Sequence, residues 1–157
     1  MEKIQILTGP IHSGKTTKLM RWAAGKKNID GVLQLIVDEK RFIYHIGSRT
    51  LKLLETIENK PETEIVIIGK YQFRKSVFEW TQNILLDCLH KKLDWLIIDE
   101  IGPLELEGKG LEPAISKILI ENEKYEGNIL CVVRDSILEK FIEHYKLQSK
   151  YLLFELH

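Results

Sequence analysis

The chain has 157 residues, 44% hydrophobic and 29% charged, with two cysteines and four prolines. That length fits a single domain, residues 1–157, able to bury a core without disulfides or structural metal. Lys and Arg number 23 against 23 Asp and Glu, a neutral balance that excludes a protein holding duplex nucleic acid by bulk electrostatics.

In chain order, residues 3–8 (Lys-Ile-Gln-Ile-Leu-Thr) predict a short strand. A Gly-rich turn from Gly9 to Gly14 follows, then a helix from about Lys15 to Ala24 closed by Gly25. Val32 to Val37 and the alternation Phe42, Tyr44, Ile46 predict two strands joined at Asp38-Glu39-Lys40, an irregular hairpin near 32–47. Residues 49–57 carry no clear period. Glu64 to Gly69 contains Ile-Val-Ile-Ile, suited to a buried strand.

From Arg74 to His90, Val77, Trp80, Thr81, Ile84, Leu85 and Cys88 recur at helical spacing. Asp94 to Asp99 is another buried-strand run. Pro113 stands where a helix-starting proline would, with Ile115, Ile118 and Leu119 continuing that helix. Asn128 to Val133 predicts a strand. Ser136 and Glu139 form a capping-box pattern that opens a helix. Tyr151 to Leu156 closes the chain as a last strand. Apolar strand runs alternating with helices define one α/β domain with a mostly parallel sheet.

Cys88 and Cys131 lie far apart with no Cys-x-x-Cys and no nearby His pair, so packing thiols are expected rather than a zinc site. No apolar run approaches the roughly 18–20 residues of a membrane span, and no basic-then-apolar leader opens the chain. No membrane association is expected, and the cytoplasm is the expected location.

One motif decides the chemistry. Gly9-Pro10-Ile11-His12-Ser13-Gly14-Lys15-Thr16, with Thr17 after it, matches G-x-x-x-x-G-K-[ST] between a predicted strand and a predicted helix. Glycines there let backbone N–H groups turn inward around phosphate oxygens, and the helix N-terminus adds a favourable field. Lys15 supplies positive charge to the β/γ phosphates, and the Thr16 hydroxyl is a ligand for Mg²⁺. A second constellation, Trp95-Leu-Ile-Ile-Asp99-Glu100, sets a carboxylate at the end of an apolar strand, on the same sheet edge as that loop. Asp99 is the candidate for holding Mg²⁺, and Glu100 for deprotonating a water in line with the γ-phosphate.

Gly9 to Thr17, followed by Ile98-Asp99-Glu100-Ile101-Gly102-Pro103-Leu104-Glu105-Leu106, resembles the small P-loop nucleoside-triphosphatases typified by the thermophile enzyme and the cancer-related nucleoside-triphosphatase. Weaker likeness runs through Ile68 to Phe73 and Lys40 to Phe42. The resemblance implies a three-layer P-loop NTPase fold of the additional-strand, catalytic-glutamate type, with one strand between those bearing the two motifs. It also implies Mg²⁺-dependent hydrolysis of ATP, GTP or other NTPs to NDP and phosphate.

Arg134 follows the apolar run Ile129 to Val133 and so emerges at the same edge, either as a γ-phosphate donor or as an exposed arginine beside a helix cap. Glu105 is either an aid to the magnesium water shell or a surface acid. Arg41 and Arg49 read as solvated edge-strand charges or, alternatively, as a lid over the nucleotide. Two other functions share the nucleotide site. One is a small-molecule kinase, and the other a nucleotide-dependent switch in which a protein partner, not identifiable from the residues, reads the bound state.

Overall fold

The apolar runs supply a twisted sheet buried on both sides in the computed structural model, which describes residues 3–10, 14–58, 60–121 and 123–156. Strand β1 (Ile4–Gly9) leads into helix α1 (Lys15–Ala24), and β2 (Ile29–Val37), β3 (Lys40–His45) and β4 (Thr50–Leu53) follow. A hairpin of β5 (Ile65–Ile68) and β6 (Tyr71–Arg74) precedes α2 (Lys75–Cys88) and β7 (Trp95–Ile101). The short helices α3 (Pro103–Leu106) and α4 (Ala114–Leu119) come next. Then β8 (Asn128–Arg134), α5 (Leu138–His144) and β9 (Tyr151–Leu153) complete the chain.

Seven strands make the main sheet in the order β4-β3-β2-β7-β8-β1-β9. The five from β2 to β9 run parallel, and β3 and β4 extend the edge antiparallel. One strand, β8, therefore lies between β1 with Gly9 and β7 with Asp99, the arrangement the resemblance implied. Alternation along each central strand divides the core into two layers. Ile6, Leu96, Ile98, Ile129 and Cys131 face α2, α4 and α5. Leu7, Ile97, Leu130 and Val132 face the other way, onto Leu19 and Ala23 of α1. A strand buried on both faces has to be a continuous apolar run, as these are. Gly31 in β2 has φ +130, and a Cβ there would collide with the Ile97 carbonyl, so only glycine permits the β2–β7 pairing at that point.

Three expectations are corrected. Residues 64–69 do not form a buried strand of the main sheet. β5 instead pairs antiparallel with β6 as a separate two-stranded sheet, and Ile67 is 56% exposed. Gly69, at φ +57, makes the tight turn that sends the chain back through residues 71–74, so α2 starts only at Lys75. Ser136 does not cap a helix: residues 135–137 wind as a tighter 3₁₀ turn, and α5 starts at Leu138 without a side-chain cap. The final strand stops at Leu153 because Phe154 turns into the aromatic cluster of Trp22 and Trp95. The uncertain stretch 49–57 holds edge strand β4, and Glu55 bridges to Phe73 of the small hairpin.

Candidate active site at the carboxyl edge of the sheet

The parallel strands end at one edge, and the two motifs meet there. Gly14, at φ +79, opens α1, while Ile11, His12 and Ser13 lie outside the described residues. Gly9 and Pro10 present carbonyls to Lys15, whose Nζ donates to Pro10 O at 2.6 Å and Gly9 O at 3.2 Å. Thr16 Oγ1 donates to Asp99 Oδ2 at 3.0 Å, joining the first turn of α1 to β7. The Gln34 N–H of β2 donates to the same oxygen at 3.0 Å.

Asp99 is 2% exposed, and its Oδ1 is buried with no hydrogen-bond partner among the described residues. Burial, and next the neighbouring charge of Glu100, push this carboxyl up to about 7 despite the donors from Gln34 and Thr16. Glu100 adopts a left-handed backbone, φ +54, where the register of β7 against β8 shifts between Ile98 and Ile101. Such a bulge re-aims a side chain, and a non-glycine residue held at positive φ stores strain at the point of use. Arg134, the last residue of β8, pairs in register with Gly9. Its Nη2 stands 3.7 Å from Glu100 Oε2, and its Nε is buried without a partner among the described residues.

A groove of about 510 Å³ gathers Gly14, Lys15, Thr16 and Thr17 with Glu100, facing the outer half of β2. Lys15, Thr16, Asp99, Glu100 and Arg134 are thus one constellation. Among the described residues no group of three or more His, Cys, Asp or Glu gathers as a metal cage. The donors offered are a hydroxyl and one orphaned carboxylate oxygen, both hard oxygen ligands. That set suits Mg²⁺, which takes few protein ligands and completes its shell from phosphates and water.

Arg41 and Glu105 are not the surface charges the sequence allowed, and Gln34 escaped the motif reading. Arg41 is not a solvated edge charge: its side chain is 13% exposed, donates to Gln34 Oε1 at 3.2 Å, and lies 5.0 Å over the Tyr71 ring. Gln34 itself is the polar break in an apolar strand, the signal that could have found it. Glu105 is no surface acid, being 3% exposed. Its Oε1 accepts the Gly102 N–H at 2.8 Å and its Oε2 the Leu111 N–H at 2.9 Å, which fixes the loop after Glu100. Gly110, at φ +64, leaves room for that carboxylate where a Cβ would overlap Oε2. Arg49 stays exposed in its turn, also at positive φ.

A strand, a glycine-bounded loop opening a helix, and an acidic strand end one strand away define a P-loop protein of the α/β class. The family model described as NTPase matches residues 4–157, and the chain belongs to that NTPase family. Its fold is similar to the crystal structure of THEP1 from the hyperthermophile Aquifex aeolicus. The TM-score is 0.75 at 20% identity, covering 98% of this chain and 89% of that one. No curated protein matches. Among the described residues no helix is long and apolar enough to cross a membrane.

Proposed function

We propose that this chain is one nucleotide-binding domain that hydrolyses the γ-phosphate of nucleoside triphosphates, with Glu100 activating water. The observation that carries this reading is the left-handed turn at Glu100 directly after the buried Asp99, in the groove shared with Lys15 and Thr16. Backbone N–H groups of the loop and α1 bind the phosphates, and Lys15 exchanges its loop carbonyls for phosphate oxygens. Glu100 accepts a proton from the attacking water. Arg134, beside Glu100, neutralises charge developing on the transferred phosphoryl group. Thr16 and Asp99 would hold Mg²⁺, which when bound offsets phosphate charge. The two thiols, both free and buried, suit a reducing compartment, so the cytoplasm is part of this proposal.

Phosphate release from ATP, GTP, CTP and UTP, with and without Mg²⁺ and with no added acceptor, tests the reading. Glu100→Gln is expected to lower turnover by about 10²–10⁴ while nucleotide still binds. Lys15→Ala is expected to weaken nucleotide binding as well. Undiminished turnover in Glu100→Gln would remove the water-activating role.

A further inference from the structure

A second cavity, of about 210 Å³, adjoins the nucleotide groove. The two share Gln34, Arg41 and Glu100, yet neither Lys15 nor Thr16 lines the second one. Its walls are mostly apolar, with Val32 and Ile43 from the sheet, Ile68 and Tyr71 from the β5–β6 hairpin, and Leu104 and Leu111 from beyond Glu100, while Asp99, Glu105 and Arg134 line its polar side. Glu100 thus stands between a phosphate-binding groove and an apolar chamber.

Size and charge restrict the occupant. A cavity of about 150 Å³ lined by aliphatic side chains holds benzene. The chamber here therefore fits one ring with a short tail, but is smaller than the roughly 300 Å³ at which drug-sized ligand pockets begin. Apart from the orphaned Asp99 Oδ1, assigned above to Mg²⁺, and Arg134 Nε, its ionic groups are matched. Arg41 lies 3.5 Å from Glu55 and Arg134 lies 3.7 Å from Glu100, while Glu105 spends both oxygens on backbone N–H groups. A neutral ligand suits such a lining better than an ion. Activating water alone requires no apolar room beside the base.

We propose that this chamber is a phosphoryl-acceptor site for a small, neutral, largely apolar alcohol of about one-ring size. The proposal rests on the nucleotide and Glu100 reading given above. The acceptor hydroxyl oxygen forms a bond to the γ-phosphorus as the bond from that phosphorus to the β–γ bridging oxygen breaks. The bond electrons leave with the nucleoside diphosphate, and the hydroxyl proton passes to the Glu100 carboxylate. The products are NDP and a phosphate monoester. Water standing in the same position yields inorganic phosphate, which makes hydrolysis the reaction of the empty chamber.

The test uses the full chain, ¹⁵N-labelled, with benzyl alcohol, 2-phenylethanol and 3-methylbut-2-en-1-ol as probes. Benzyl methyl ether serves as a ligand that fits but has no hydroxyl. All four are expected to shift the amides of residues 68–73 and 102–104 saturably, before any nucleotide is added. With ATP and Mg²⁺, phosphorus NMR should then show a monoester from the alcohols only. At saturating alcohol it should exceed free phosphate by about tenfold, because a held acceptor outcompetes water. Ile68→Trp, which fills the chamber from its half-buried rim, should weaken probe binding by about tenfold and return the product to phosphate. No saturable shift with any probe, or binding without monoester, would overturn the acceptor site. If ATP neither shifts the amides of residues 14–17 nor yields phosphate, the nucleotide reading falls and the acceptor role with it. Probe shifts seen without nucleotide separate that outcome from an absent chamber.

Discussion

Asp30 and Asp99 sit on neighbouring strands, β2 and β7, and are 3% and 2% exposed. Their surroundings diverge. Asp30 Oδ1 accepts the N–H groups of Gly31 at 2.8 Å and Gly47 at 2.9 Å, with His45 Nε2 at 3.0 Å, and Oδ2 accepts Lys91 Nζ at 2.7 Å. Burial alone would push Asp30 up, but the hydrogen bond from Lys91, the Gly31 N–H and the charge of His45 outweigh it. Its carboxyl is held below the usual range. Asp99 accepts the Gln34 N–H and the Thr16 hydroxyl, and among the described residues its Oδ1 has no hydrogen-bond partner. Two carboxylates of nearly equal exposure, the deeper one Asp99, thus differ in how their charge is met. The one with its charge matched fastens β2 to the end of α2, and the unmatched one is the residue proposed above to hold Mg²⁺.

The widest separation between them is expected in catalysis. Asp99→Asn should lower phosphate release by about 10²–10³, or about 3–4 kcal/mol of transition-state stabilisation. Thermal stability should stay level or rise at neutral pH, because a buried unmatched charge is removed. Asp30→Asn should leave turnover per folded molecule within about twofold. A comparable loss of turnover in both variants would abolish the distinction.

The second separation is in stability, with the order reversed. Asp30→Asn should cost about 2–4 kcal/mol in denaturant unfolding, because two buried N–H groups lose a charged acceptor and Lys91 loses its counter-ion. The half-exposed Lys91 contributes little of that total. Since the folded carboxyl lies below its unfolded value of 3.8, its contribution is present above that pH and lost as pH falls further. Wild type should show that acid loss, and Asp30→Asn should not.

What could be read from residues alone follows the same physics. That Gly14, Lys15, Thr16, Asp99 and Glu100 meet at one sheet edge was legible because the loop motif and the acidic pair each follow a strand whose apolar run is unmistakable. The parallel centre was legible from such apolar runs alone. The role of Arg41 was not, since it depends on which face of β3 turns inward and on a hairpin, β5–β6, that packs across residues distant in sequence. The turn at Gly69 hid that hairpin, because a short apolar run before a glycine reads equally as a buried strand. The strain at Glu100 was invisible, as no local pattern marks a bulge set by the register of β7 against β8. Asp30 passed unnoticed because its four partners come from three separate segments.

Glu105 sharpens the comparison by standing between the two. It accepts the Gly102 and Leu111 N–H groups but, among the described residues, has no cation beside it, and burial pushes it up to about 7 from 4.5 even so. Backbone donors without a cation thus fail to compensate burial at this depth. Between about pH 4.5 and 7 the folded state keeps a proton on Glu105 that the unfolded chain has released. Raising pH through that window therefore destabilises the fold, and the effect is flat above it. Asp99 adds a slope of the same sign. Glu105→Gln, which cannot ionise, should remove part of the fall, about 1–3 kcal/mol between pH 4.5 and 8. Its amide has one oxygen for two N–H groups, so the variant should be no more stable than wild type at the acid end. Denaturant midpoints at several pH values read both effects at once. A variant whose stability falls as steeply as wild type would mean that Glu105 is ionised throughout, and that two N–H donors suffice after all.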